Sequence, residues 1–269
     1  MDNRIKIHRN PQGLSFQEFH ELDSHCFPKE PVQPDTFRRY MEDDLWAAWM
    51  GNELVGYCNL IHKPEIAWLA RIGVRRDCRG LGIGRNLMKT AISRCRQLGY
   101  SAVILYVKKD NAPALALYRS LGFMIEETAW QYILHDPSSF TSEAEDSVIA
   151  VPLPNVQGDS RPDFPPDWSD IDSMHRPPQQ HVLVFQDSSG ATLGYCRLSP
   201  DFPGCFPFRL ADPERHLLPA LRSMNGLLNP AKDHLKLTIN AEPVSRACSR
   251  MNMELNYALY RMRLSGLQA

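Results

Sequence analysis

Three glycines in six residues give this chain its most chemically suggestive segment, Arg79-Gly80-Leu81-Gly82-Ile83-Gly84, with Arg85 immediately after. It lies between an apolar run ending in Ile72-Gly73-Val74 and a segment of helical periodicity. Glycines let a backbone turn tightly and approach an anion, and successive amide N–H groups then point into one concavity. A helix starting near Gly84 adds the positive end of its dipole. Such a nest suits a pyrophosphate. It is not a nucleotide-hydrolysing loop, because the Gly-Lys-Ser/Thr ending is missing. Nor is it the dinucleotide fingerprint, since its glycines run G-x-G-x-G rather than G-x-G-x-x-G. Arg79 and Arg85 add positive charge there, although a loop arginine is also an ordinary solvated surface charge.

A second segment, Asn111-Ala-Pro-Ala-Leu-Ala-Leu-Tyr118-Arg-Ser-Leu-Gly-Phe123, follows at a distance of one strand. Asparagine commonly starts a helix. A phenol of pKa ~10 can donate to a thiolate of pKa ~8.5 without itself being ionised at neutral pH. The packing alternative for Tyr118 is an aromatic half-buried beside Leu115 and Leu121.

Together, Arg79-x-x-Gly82-x-Gly84 and the Asn111–Phe123 segment resemble motifs A and B of the GCN5-related N-acetyltransferases, over about residues 3–135. The resemblance implies an α/β (α+β) GNAT fold with a mixed central sheet splayed at the cofactor site. Acetyl-CoA is the implied cosubstrate, with an amine acceptor. Ile72, Gly73 and Val74 would offer unpaired amides to the pantetheine arm. The amides of Arg79, Gly80, Leu81, Gly82, Ile83, Gly84 and Arg85 would wrap the pyrophosphate. Asn111 would bond the cofactor or hold the start of its helix, and Tyr118 would be general acid for the departing thiolate. Relatives often use a glutamate on the strand before the loop, or a water chain, as base. Glu65, the carboxylate just upstream of Ile72, is the candidate base, with a surface carboxylate as its other reading, and His62 is a second candidate for relaying the proton. A non-catalytic acyl-CoA sensor is the other reading of the same site.

These motifs need elements to hold them. Ile5 and Ile7 alternate with polar residues as in a strand, and Ser15 with Glu18 forms a capping box ahead of Phe16, Phe19 and Leu22. Residues 45–50 and 53–62 read as a hairpin about Gly51-Asn52, and 66–74 as the next strand. Helical spacing runs from Gly84 to Leu98, closed by Gly99, and Ala102 to Val107 is a buried strand. Asp110 is expected to cap the helix through Leu121. Residues 123–128 and 130–134 are expected as two final strands.

The order then partly repeats. Leu193-Gly-Tyr-Cys-Arg-Leu198 echoes Val55-Gly-Tyr-Cys-Asn-Leu60, residues 235–240 resemble the strand at 102–107, and 254–258 with 259–264 would be a last hairpin. Between the halves, residues 136–180 hold 8 of the 21 prolines, too many for most of the stretch to be regular structure. Three parts are therefore expected: a catalytic domain at 1–138, a linker at 139–180 containing a short strand at 148–151, and a degenerate GNAT-like domain at 181–269. In the second half, Phe208 to His216 has no glycine but has Pro213 and acidic residues, which would repel a pyrophosphate. Cys248 or Ser249 takes the tyrosine's place.

Bulk properties narrow the function classes. Among 269 residues, 30 basic and 31 acidic side chains give a net charge of -1, against nucleic acid or anionic membranes as partners. Hydrophobic residues make up 43% of the chain, but no apolar run spans a membrane and the N-terminus lacks a signal-like apolar core. Seven cysteines without a CxxC pair read as free thiols, with no metal site, in a reducing cytoplasm. The first helices carry mixed charge with an acidic excess, which slightly favours a cationic amine. Oligomeric state is not legible.

Overall fold

Ser15 starts the first helix as its spacing demands. Its hydroxyl accepts from the Glu18 amide at 3.2 Å, and the Glu18 carboxylate accepts from the Ser15 amide at 3.1 Å, an arrangement worth about 1 kcal/mol. In the computed structural model this helix, α1 (Phe16–Cys26), is followed by α2 (Pro34–Glu42), both packed on one face of a sheet. Residues 5–135, 148–153, 180–199, 204–228 and 234–267 are described. The expected linker at 139–180 therefore lies outside the described residues except for 148–153 and 180.

The chain forms two compact units, Met1–Glu127 with Tyr260–Ala269, and Thr128–Leu259. In the first unit the strands β1 (Ile5–Arg9), β2 (Asp44–Met50), β3 (Glu53–His62), β4 (Ile66–Val74) and β5 (Ala102–Lys108) lie in that order. Neighbours pair antiparallel except β4 and β5, which are parallel. Helix α3 (Ile83–Gln97) connects β4 to β5, and α4 (Ala112–Ser120) follows β5. The sheet face opposite α1 and α2 carries the main core, where Leu87, Met88, Ala91 and Cys95 of α3 meet Cys58, Leu60, Leu69 and Leu105.

Two expected hairpins are single strands instead. β6 runs unbroken over Met124–His135 and β12 over Glu254–Ser265. Neither has a glycine, proline or aspartate at the expected break, so nothing in the backbone chemistry makes the chain turn there. Each strand serves both units: Met124–Glu127 and Tyr260–Ser265 belong to the first, Thr128–His135 and Glu254–Leu259 to the second. Met262, Leu264 and Leu267, near the end of the chain, fill the first unit's core beside Tyr118 and Phe123. As compact bodies the halves thus differ from the expected 1–138 and 181–269 at these two strands.

The second unit contains β7 (Ile149–Pro152), β8 (His181–Gln186), β9 (Thr192–Ser199), β10 (Gly204–Leu210), α5 (Pro213–Ser223), β11 (His234–Ile239) and α6 (Glu242–Arg250). Its strand order from β11 to β7 repeats that from β5 to β1, again with one parallel pair, β10 with β11. The matched glycines also play matched parts. A Cβ on Gly56 would approach Gly73 O to 3.2 Å, and one on Gly194 would strike Arg209 O at 2.1 Å. Each lets one strand lie close against the next, so the Gly-Tyr-Cys repeat marks the same spot in both units.

Candidate functional site

The site begins with a defect in a strand. Asn59 pairs with Arg71 but Leu60 pairs with Leu69, so Ala70 is an extra residue and β4 carries a bulge. A bulge bends its strand and shifts the side-chain phase by one. Ala67 and Leu69 before it, and Ile72 and Val74 after it, consequently enter the same core. The bend has a second consequence. Pairing between β4 and β5 stops at Leu69 with Leu105, although β4 continues to Val74 and β5 to Lys108. The two parallel strands splay apart from that point.

Which groups face the gap follows from strand alternation. Arg75 N–H donates to Val55 O on β3 at 2.9 Å, so the amides of Val74 and Ile72 point the other way, toward the gap. Gly73 points to β3 and offers the gap no donor, contrary to expectation. Its smallness is what matters, since a Cβ there would lie 2.8 Å from Tyr57 Cε1 and 3.0 Å from Cys26 Sγ.

The glycine loop leaves the end of β4 between two buried anchors, Cys78 at 2% and Ile83 at 1% exposure. Gly80 and Gly82 take φ of +82° and +79°, the left-handed region that a side chain resists, and a Cβ on either would meet only open space. Asn86 N–H closes the first turn of α3 onto Gly82 O at 2.9 Å. The amides of Gly80, Leu81, Gly82, Ile83, Gly84 and Arg85 have no acceptor among the described residues, and no side chain caps α3. Six consecutive donors at a helix N-terminus fit a pyrophosphate. Gly84 sits 3.5 Å, by its built Cβ, from Leu117 of α4 and 3.6 Å from Val74, which lets α3 close over the strand end. The arginines line the rim: Arg79 Nε donates to Val74 O at 3.1 Å, and Arg85 Nη2 to Ser120 Oγ at 2.8 Å.

Asn111, not Asp110, is the cap of α4, its side-chain oxygen accepting from Ala114 N–H at 3.2 Å. Of its two expected roles it performs the holding of the helix start. Tyr118 is 5% exposed and packs with Phe123 at 5.8 Å between ring centroids. Burial, with the Cys58 thiol beside it, pushes its phenol well above the usual value, so it stays protonated at neutral pH.

Glu65 is not part of this assembly. It is exposed in the turn before β4, nine residues from Val74, so about 30 Å of strand separates it from the loop. Its backbone carbonyl receives Ser101 N–H and Oγ–H, both at 2.9 Å. His62 lies at the same remote end, stacked on Tyr100 and 3.3 Å from Asp44.

One group of side chains around β4 carries no signal in the sequence. On the opposite sheet face from α3, fully buried Asp23 of α1 accepts from Arg71 Nε at 2.7 Å and Nη2 at 3.1 Å, and from Val32 N–H at 2.6 Å. Tyr57 O–H also donates to Asp23, and Arg71 Nη2 donates to Glu30 O at 2.7 Å while its guanidinium stacks 3.8 Å over Phe27. This clamp ties the chain between α1 and α2 to β4 one residue after the bulge. Asp23, Tyr57 and Arg71 lie 14 to 48 residues apart, so no local pattern announces them.

The second unit keeps the splay but not the nest. β10 pairs with β11 only through Gly204 with Lys236 and Cys205 with Leu237, next to an irregularity before Phe208. Helix α5 instead starts at Pro213, which has no N–H, and the Asp212 carboxylate takes the Arg215 amide at 3.2 Å. Cys248 is the seventh residue of α6, as Tyr118 is of α4, and it is fully buried. Ser249 instead contacts Tyr132 Oη at 2.9 Å.

A bulged, splayed parallel pair joined by an amide nest to a helix defines an acyl-coenzyme-A-type transferase fold. Residues 16–123, within the first unit, match the family model "Acetyltransferase (GNAT) family". The chain is 37% identical over 90 residues to the mycothiol acetyltransferase of Corynebacterium glutamicum strain R, a match covering 33% of this chain and 31% of that one. The chain thus spans about a third of that relative's length. Its fold is also that of a GCN5-related N-acetyltransferase from Sphaerobacter thermophilus, with TM-score 0.69 and 14% identity over 98% of this chain and 96% of the other. A tandem GNAT protein from the clavulanic acid biosynthesis pathway aligns with TM-score 0.68 and 13% identity over 97% of this chain and 98% of the other. No helix among the described residues is long and apolar enough to cross a membrane.

Proposed function

We propose that the first unit transfers an acetyl group from acetyl-CoA to the amine of an acceptor by direct attack, and that the second unit is a degenerate copy that binds no cosubstrate. The observation that carries this reading is the run of six amides, Gly80 to Arg85, that find no acceptor among the described residues beside the gap between β4 and β5. Acetyl-CoA supplies an activated thioester, so the protein's tasks are holding, orientation and charge stabilisation. The nest would hold the pyrophosphate. Ile72 and Val74 amides would donate along the pantetheine arm and to the thioester oxygen.

Tyr118 is the proposed acid. Its raised pKa makes complete proton transfer to a thiolate of ordinary pKa, ~8.5, uphill. Its contribution is then a hydrogen bond to the sulfur as the C–S bond breaks, with the proton following as the amine gives up its own. With Glu65 at the remote end of β4, water is the proposed carrier of that amine proton. The seven free cysteines suit a reducing cytoplasm.

Calorimetric titration with acetyl-CoA, paired with thiol release across a panel of amines, tests the proposal. Binding at one site with turnover on some amine supports it. Binding without turnover on any amine would make the protein an acyl-CoA sensor, and no binding at all would overturn both readings.

A further inference from the structure

The second unit keeps a gap between parallel strands without the glycine nest, and the side chains beside that gap are basic. Cys196 and Leu198 of β9, with Phe208 and Leu210 of β10, enter the core beneath α5 and α6. Strand alternation therefore puts Tyr195, Arg197 and Arg209 on the opposite face of the sheet. Arg209 pairs directly with Tyr195, so Arg197 stands diagonally from it, about 7–8 Å away between Cα atoms. The edge of β10 next to them is open. Ala211 N–H donates to Leu193 O on β9 at 2.9 Å. The amides of Phe208 and Leu210 consequently point the other way, beyond the last pairing of β10 with β11 at Cys205 and Leu237.

Neither arginine has a countercharge. Both are half-buried. Arg197 Nε donates to Phe206 O at 2.7 Å, whereas its two Nη groups reach solvent and find no acceptor among the described residues. Burial pulls its pKa below the usual guanidinium value, and no carboxylate opposes that shift. Arg209 lies beside the Tyr195 hydroxyl, also without a carboxylate among the described residues. The described carboxylates of this unit are engaged elsewhere. Glu214 pairs with Arg250 at 2.6 Å, Glu242 with Arg246 at 2.8 Å and Glu254 with His135 at 2.7 Å. Asp187 closes its own turn and Asp212 caps α5. A guanidinium withdrawn from water is almost always paired in native proteins. Arg71 of the first unit shows the ordinary solution, with Asp23 accepting from it twice. Two unpaired guanidiniums on one face, beside two open amides, point to an anion that completes them.

We propose that the second unit binds a small oxyanion, a phosphate or a carboxylate, between Arg197 and Arg209 at the open edge of β10. Each guanidinium presents a planar fork of N–H donors that matches two oxygens of such a group, and the amides extend the donor set. The inference is independent of the acetyl-transfer reading, because it uses none of that site's residues.

The test is a titration of the full chain labelled with ¹⁵N, using inorganic phosphate and separately acetate. Sodium chloride at matched ionic strength is the control. The reporters are the Arg197 Nε–H resonance and the backbone amides of Phe208 and Leu210. The expected result is saturable movement of all three with at least one oxyanion. Saturation by phosphate alone identifies a phosphoryl ligand, and saturation by acetate a carboxylate. In Arg197→Gln the amide response should weaken about 10- to 100-fold, as loss of one charge-assisted hydrogen bond does. Because that variant also breaks the bond to Phe206 O, Arg209→Gln, which loses no backbone bond, is the second variant and should weaken the response similarly. No movement, a drift matched by sodium chloride, or saturation undiminished in both variants would overturn the proposal.

Discussion

Replacing Gly82 tests the nest most directly, because proline and alanine perturb it by different amounts. Gly82 sits at φ +79° at the start of α3, exposed, with nothing within 4 Å of a built Cβ. Alanine therefore fits in space but resists the left-handed backbone by about 1–2 kcal/mol. If the loop must hold that conformation to bind, acetyl-CoA affinity falls about 5- to 30-fold. Proline removes the Gly82 N–H, a charge-assisted donor worth about 1.5–3 kcal/mol, or roughly 10- to 100-fold. Its ring also forces φ to about −65°, a swing of about 145° that turns the flanking Leu81 and Ile83 amides away. Their loss adds to the first, so Gly82→Pro should bind at least about 100-fold more weakly than the native protein. Little else should change, since the loop touches no core residue between Cys78 and Ile83. Titration calorimetry gives the affinities, and thermal unfolding without ligand should stay within a few degrees of the native Tm. Native-like affinity in Gly82→Pro, or equal losses in both variants, would refute the nest as the anion site. The control is Pro213→Gly with Glu214→Ala in the second unit, which should leave both affinity and the stoichiometry of one per chain unchanged.

Other consequences can be measured separately. Tyr118→Phe keeps the ring against Phe123 but deletes the donor, so kcat should fall about 100- to 10,000-fold with acetyl-CoA affinity nearly constant. Because the buried phenols of Tyr118 and Tyr57 have folded pKa values above the usual 10, their contribution to stability is complete below pH ~10 and is lost as pH rises beyond it. Chemical denaturation between pH 7 and 11 should show that decline, and a flat profile would contradict their burial. Asp23→Ala strands Arg71 and should cost about 3–5 kcal/mol, while Asp23→Leu with Arg71→Met should cost markedly less; equal losses would deny the clamp a charge-pairing role. With six of the seven cysteines buried, an aromatic disulfide reagent should titrate at most Cys26 rapidly in the native protein and all seven in guanidinium. Burial pushes the Cys248 thiol up to about 12, so fast reaction at that position would contradict the second unit's packing.

Interactions that close within a few residues were legible from the chain alone. The Ser15–Glu18 box spans three positions and the glycine loop with the start of α3 six, while the counterpart of Tyr118 was readable as Cys248 or Ser249 and the helix bounds select Cys248. The repeated Gly-Tyr-Cys strand was equally readable, because a glycine that admits a neighbouring backbone leaves the same trace wherever it recurs.

Only the tertiary structure decided what depends on partners far away in sequence. Alternation of apolar residues marks 66–74 as a strand, but nothing in it says that Ala70 is an extra residue relative to β3, nor that pairing with β5 ends at Leu69. That one bulge changes the phase of the strand and opens the gap. The same holds for Asp23, which reads as one more polar residue in a helix until Arg71, 48 positions later, supplies the countercharge. It holds as well for β6 and β12, whose patterns identify strands but not the unit each half completes. Side-chain periodicity reports which face of an element is buried, whereas hydrogen-bond pairing along its edges is chosen by the whole chain.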